Sequence, residues 1–256
     1  MYPILGRYGP FLFYTYTAVM GLGLFAAAGL AAWRARHRPV PFAWADASLV
    51  TLFAALLGGR LAYVAGNWVY FQENLDEILL IWEGGLSYHG ALAAGLLALW
   101  SWARVRALAF GAVAGFWALP AVLWNAFVWL ACYLDGCAYG RETLLGLLAA
   151  DLPDSYGVYA VRYQSQLLGL GLSILALLAL WLVRRRARLL FQFWLALFLV
   201  SLGRFVVSLL RGDAMPLLYG VRLDTVMDGA LALFSALILL IHWLRRPSFR
   251  PQSVYD

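Results

Sequence analysis

Residues 165–183 read SQLLGLGLSILALLALWLV, and Arg184-Arg185-Arg186-Ala187-Arg188 follows at once. The run carries no charge and is apolar on every face of a helix. A helix at a water-exposed surface is apolar on one stripe only. Crossing the hydrocarbon of a bilayer takes about 20 such residues, so this run is read as a membrane span closed by a basic cluster. Six further runs have that character, near 11–33, 43–65, 88–103, 109–131, 189–210 and 224–244. The third is short. The fourth contains Pro120, which a span tolerates when neighbouring helices satisfy the freed carbonyl.

Composition agrees. Of 256 residues, 64% are hydrophobic and 12% charged, against about 25% charged in an average soluble domain. There is too little polar surface to cover a water-soluble fold. The sequence predicts an all-α polytopic bundle of seven transmembrane helices in one integral membrane domain, 1–256, with small elements in the connections 66–87 and 132–164. The first ten residues, MYPILGRYGP, lack the charged n-region and cleavage site of a removable signal peptide, so the first span is expected to stay.

All nineteen basic residues are arginines. Arg34, Arg36 and Arg38 follow span one, Arg104 and Arg106 span three, Arg184, Arg185, Arg186 and Arg188 span five, and Arg245, Arg246 and Arg250 span seven. The other connections hold Arg7, Arg141, Arg162, Arg211 and Arg222 with most of the acids. The positive-inside rule then puts the N-terminus outside and the C-terminus in the cytoplasm. A net charge of +6 scattered in such clusters is explained by topology and not by nucleic acid, which would need one basic face.

Arg60 and Arg204 break the pattern, because they lie inside spans two and six. A charge at that depth is costly and faces a bundle interior or a wet cavity. Both sit in the outer thirds of outward-running spans, and His89 opens span three at the same level. Two guanidiniums suit a phosphate, whose oxygens the planar fork binds in pairs. An imidazole beside them can serve as a base. Gly84-Gly85-Leu86-Ser87-Tyr88-His89-Gly90 would add a helix N-terminus, whose free N–H groups attract anions. Quieter roles stand beside these. Either arginine could snorkel to the interface, and His89 could be a satisfied interfacial histidine. His37 and His242, beside arginine clusters, are read as interfacial. Trp68, Tyr70, Trp82 and Tyr88 read as an aromatic belt. Asp224 and Asp228, one helical turn apart, are read as partners for Arg204, Arg211 or Arg222. Cys132 and Cys137 fit neither a CxxC nor a zinc pattern; a disulfide and two unpaired thiols both remain open.

Gly58-Gly59-Arg60-Leu61-Ala62-Tyr63-Val64, followed by Trp82-Glu83-Gly84-Gly85-Leu86-Ser87-Tyr88-His89-Gly90-Ala91-Leu92, resembles the signatures of the bacterial prolipoprotein diacylglyceryl transferase family. Tyr14-Thr15-Tyr16, Gly140-Arg141-Glu142-Thr143, Arg162-Tyr163-Gln164-Ser165-Gln166-Leu167 and Gly203-Arg204-Phe205 with Arg211-Gly212-Asp213 follow in family order. The resemblance implies seven spans, a bacterial inner-membrane location and a site facing the outer leaflet. It implies transfer of a diacylglyceryl group from phosphatidylglycerol to the lipobox cysteine of a prolipoprotein peptide, with membrane lipid as surroundings and no cofactor or metal. It assigns His89 and Arg204 the catalytic roles. Tyr16 and Gly140 would line the site; Arg60, Arg141 and Arg211 are read from this chain as the substrate-binding arginines that could stand in for an absent family Arg. The chain departs from the family pattern at several positions. Trp129 stands where the family has a lipid-binding Arg, and Cys132 and Cys137 stand for its Asn and Glu. Ser208 stands for a Glu, Gln164 for a Pro, and Leu168-Gly169 for Tyr-Glu. A relative that binds anionic phospholipid or a membrane partner without catalysis is therefore the alternative.

Overall fold

The computed structural model describes residues 4–8, 11–37, 43–81, 84–144, 146, 148–154 and 156–245. Trp82 and Glu83 of the glycine-rich signature lie outside them, as do Arg38, Arg246 and Arg250 of the basic connections.

The chain begins as a hairpin, β1 (Ile4–Tyr8) against β2 (Phe11–Tyr14), and then enters α1 (Thr15–His37). This corrects the first span, which starts at 15 and not 11. Phe11–Tyr14 pairs instead with Ile4–Tyr8, and a ladder takes up the backbone groups that a helix would otherwise pair internally. Next come α2 (Trp44–Gly66), the short α3 (Trp68–Phe71), a 3₁₀ turn (Leu75–Leu79) and α4 (Tyr88–Val105). The next helix, α5 (Phe110–Asp135), carries Pro120 and runs four residues past its expected end. A hairpin of β3 (Ala149–Pro153) and β4 (Tyr159–Tyr163) leads into α6 (Ser165–Val183). α7 (Leu189–Ser208), the two-residue strands β5 (Leu217–Leu218) and β6 (Val221–Arg222), and α8 (Leu223–Leu244) follow.

Six of these helices are long and apolar enough to cross a membrane: α1, α2, α5, α6, α7 and α8. The protein is an all-α polytopic membrane bundle, with three small hairpins among the described residues. α4 has 18 residues but is not among these six, because His89, Ser101 and Arg104 interrupt its apolar run.

Burial is distributed as a lipid-embedded bundle requires. Phe25, Phe53, Leu182 and Leu233 face outward, while Ala31, Ala47, Ala103, Ser165, Ser201 and Ser235 are fully buried. Without a hydrophobic drive between helices in lipid, small residues let backbones approach and make dispersion contacts. The α2–α4 crossing shows this. A Cβ on Gly58 would lie 2.1 Å from Ala94 Cβ, and one on Gly90 would lie 2.6 Å from the Gly58 carbonyl oxygen. Three antiparallel pairs result: α1 on α5, α2 on α4, and α7 on α8, with α6 and α7 also packed on α5. The starts of α1, α4 and α8 therefore meet the ends of α2, α5 and α7 at one end of the bundle. At the other end, Arg34 donates to the Gly115 carbonyl (3.4 Å) and Gln192 Oε1 (3.3 Å), which ties α1, α5 and α7 together.

Candidate functional site

α4 is fixed where it starts. Ser87 caps it, its Oγ accepting the Gly90 N–H at 3.3 Å, and the Ser87 N–H donates to the Gly59 carbonyl at 2.9 Å. The cap consumes a donor that a free helix N-terminus would offer to an anion. Arg60, the next residue of α2, donates to four backbone carbonyls: Ile78 through Nε (2.8 Å), Glu77 through Nη2 (2.6 Å), and Gly84 (2.7 Å) and Gly85 (3.1 Å) through Nη1. Its guanidinium lies near the Phe71 and Tyr63 rings. Arg60 thus stitches the 66–87 connection to α2, a use of the charge that neither snorkelling nor phosphate binding describes.

That stitching sets His89 at the second position of α4. Its Nε2 lies 2.9 Å from Asp228 Oδ1 of α8. The same oxygen accepts from Arg204 Nε of α7 at 3.3 Å. The three side chains are 7%, 1% and 12% exposed. A carboxylate so buried is tolerated because the Arg204 guanidinium and the His89 ring both hydrogen-bond to it. The Arg204 guanidinium lies 3.6 Å over the Tyr88 ring, which supports a desolvated cation from beneath. Tyr88 therefore belongs to the site and not to the aromatic belt; Trp68 and Tyr70 are exposed as a belt requires. On its other side Arg204 borders a small cavity between α5, α6 and α7, lined by Asn125, Trp129, Gly169, Ser173 and Gly203.

One turn earlier on α8, Asp224 takes part in a charge quartet. Arg211 binds Asp213 through Nε (2.8 Å) and Nη2, and Asp224 through Nη1 (3.3 Å). Arg222 binds Asp224 in a fork, 3.1 and 3.0 Å. Burial pulls the Arg211 pKa down, but Asp213, Asp224 and Asp228 outweigh it and hold the pKa above its ordinary value. Arg211 is also part of the rim's backbone. Gly140 pairs with it as an isolated bridge, Arg141 N–H donates to the Leu210 carbonyl at 2.8 Å, and Gly212 N–H to Tyr139 at 2.9 Å. Only glycine fits at 140, since a Cβ there would lie 2.1 Å from the Tyr163 carbonyl oxygen. Arg141 is exposed and faces the Tyr163 ring. Tyr16, in the first turn of α1, is half-buried and within electrostatic reach of Asp135 at the end of α5.

Cys132 and Cys137 form a disulfide, which settles the choice left open by their spacing. It closes the turn after α5. Gln166 donates to the Cys137 carbonyl (2.9 Å) and Ser165 to that of Ala138 (2.6 Å), so the strand leading to Gly140 is held from both sides.

Of the residues expected from sequence, His89 and Arg204 come together, and Gly140, Arg141 and Arg211 adjoin each other on the rim. Arg60 lies in the supporting wall. The expected pairing of Asp224 and Asp228 with arginines is present. Sequence reasoning missed that Asp228 also meets His89. The available signal was an acid one turn inside an apolar span, where a carboxylate needs every partner it can reach.

The chain was compared with known proteins. The family model of prolipoprotein diacylglyceryl transferase matches residues 3–244. A phosphatidylglycerol–prolipoprotein diacylglyceryl transferase of Thermosynechococcus vestitus is 31% identical over 217 residues, 79% of this chain and 78% of that protein. The Bacillus licheniformis protein of the same name is 28% identical over 250 residues, covering 93% and 91%. One from Bacillus cereus is 29% identical over 244 residues, covering 91% and 89%. With residues 3–244 of its 256 matched, this chain belongs to the prolipoprotein diacylglyceryl transferase family.

Proposed function

We propose that this protein transfers the diacylglyceryl group of phosphatidylglycerol to the lipobox cysteine of a prolipoprotein. The observation that carries the reading is the sharing of Asp228 Oδ1 by His89 and Arg204. It sets a base and a phosphate-binding cation side by side in a water-poor pocket. His89 takes the proton of the cysteine thiol, and the thiolate, not the thiol, is the nucleophile. Sulfur bonds to the glycerol carbon of the donor. The bond from that carbon to the phosphate oxygen breaks, and its electron pair stays on the leaving glycerol phosphate. Arg204 binds that phosphate. Fixed positive charge where negative charge develops is worth far more in such a site than in water. The proton on His89 leaves with the product. The step is a displacement that balances with no cofactor or metal.

Gly140, Arg141 and Arg211 form the rim over which donor and peptide approach, Tyr16 lines the entrance, and Arg60 acts by holding the loop from which α4 starts. α4 is the seventh span. The N-terminus is outside and the C-terminus cytoplasmic, an assignment that rests on the arginine clusters after alternate helices. The protein is then a multi-pass component of a bacterial inner membrane, with the site at outer-leaflet depth.

Complementation of a bacterium depleted of its own transferase tests the reading. Rescue that is lost with His89→Ala or Arg204→Ala at equal protein level is the expected result. Absence of rescue by the unaltered protein at normal expression overturns it and leaves a lipid-binding relative.

A further inference from the structure

We propose that Asp228 is a positioning residue for the transfer: it fixes His89 with Nε2 protonated, so that Nδ1 is the nitrogen that receives the thiol proton. The inference rests on the transfer reading above and goes beyond it, because it names the reacting atom and the group that selects it.

A carboxylate accepts hydrogen bonds and donates none when ionised. Asp228 Oδ1 receives Arg204 Nε, a permanent cation, and is 2.9 Å from His89 Nε2. An oxygen that already accepts the Arg204 N–H acts as acceptor toward Nε2 as well, so the hydrogen between the two side chains is on the imidazole. Neutral imidazole has one N–H. Spending it on Nε2 leaves the lone pair on Nδ1, and among the described residues no hydrogen-bond partner occupies Nδ1. Besides Asp228 and Arg204, the charged or titratable groups around the imidazole among the described residues are Tyr88 on its own helix, whose ring lies edge-on at 5.2 Å, Arg211 beyond Asp228, and Arg60 of α2, which is taken up by carbonyls.

The same oxygen also orients the phosphate binder. Because Nε of Arg204 is engaged by Asp228 and the plane rests on Tyr88, the two Nη groups form the edge available to a phosphate. One atom therefore sets the relation between base and leaving-group site. Where the family pattern has a Glu at 208, on the helix of Arg204, this chain has Ser208, hydrogen-bonded to Thr225 at 2.8 Å. Here the carboxylate comes from α8 instead.

Two measurements test the inference. The first is nitrogen-15 NMR of the histidine-labelled protein in phosphatidylglycerol bilayers, with His37→Gln and His242→Gln to assign the signals. Protonated Nε2 with bare Nδ1 at His89 is expected; a protonated Nδ1 in the unaltered protein overturns the inference. The second is the steady-state kinetics of Asp228→Asn. An amide can donate to Nε2 and so favours the opposite tautomer. The expected result is a fall in kcat of about 100-fold or more, together with a rise in KM for phosphatidylglycerol, because Arg204 Nε loses the same acceptor. Unchanged kcat overturns the inference. His89→Gln separates the two failures. If it stays active, the role of His89 as the base falls, and with it the inference; if it is inactive while Asp228→Asn turns over normally, only the role of Asp228 falls.

Discussion

Trp129 and Gly169 share one space. A Cβ on residue 169 would lie 2.3 Å from the indole ring of Trp129, which is itself 4% exposed. The family resemblance read from the sequence puts Arg and Glu at these positions; here a shape pair stands in their place. Gly169→Ala is expected to cost about 1–3 kcal/mol by overpacking. Trp129→Arg alone buries an unpaired charge and is expected to cost about 3 kcal/mol or more. Adding Gly169→Glu to Trp129→Arg is expected to return part of that loss, with a coupling of about 1–3 kcal/mol. Thermal unfolding of the four proteins in one detergent measures it. Strict additivity would mean that the two sites are independent.

The disulfide gives a second expectation. The chain has two cysteines, and they are joined across a separation of five. A thiol reagent should therefore label nothing before reduction and two sites after it. Replacing both by serine should lower stability by about 2 kcal/mol, the loop-closure value for so short a ring. Labelling of the unreduced, folded protein would contradict the bridge.

The parts of this structure legible in sequence were those governed by length and by charge at depth. Hydrocarbon admits only apolar helical runs, so the spans could be placed within a few residues. An internal Arg60, Arg204 or His89 had to face inward, so the site could be narrowed to its residue types. What sequence did not carry was pairing across helices. Asp228 was expected on an arginine, and nothing in a linear pattern says that a helix 139 residues earlier in the chain brings an imidazole to the same oxygen. Arg60 had the same chemical signature as Arg204. The carbonyls of Glu77, Ile78, Gly84 and Gly85 separate the two, and they come from a connection whose path no periodicity encodes. The first span was misplaced at its start for a similar reason, since Phe11–Tyr14 is apolar enough for a helix but has a strand to pair with.

Arg60 and Arg204 should accordingly respond differently to substitution. Arg60→Lys keeps the charge but replaces a five-donor planar fork by three donors on a flexible stem, which cannot reach four carbonyls at once. The expected result is faster proteolytic cleavage within 66–87 and a lower melting temperature. The preference for anionic lipid should hold in whatever fraction remains folded. Loss of lipid preference with an intact loop would make Arg60 a direct phosphate ligand.

Arg204 should govern lipid preference itself. Its Nε is taken by Asp228 and its plane rests on Tyr88, so a phosphate meets the Nη edge and gains paired hydrogen bonds along with charge. Arg204→Gln is expected to abolish the preference for phosphatidylglycerol over a zwitterionic phospholipid in lipid-displacement measurements on nanodiscs. Arg204→Lys keeps a charge but loses the fork, and should weaken binding about tenfold, which corresponds to about 1.4 kcal/mol. Because the side chain is only 12% exposed, salt should screen it poorly, unlike charges in open water. The preference should therefore persist at high ionic strength. Equal binding of both lipids by the unaltered protein, or a preference that vanishes with added salt, would move the phosphate from Arg204 to the exposed rim around Arg141.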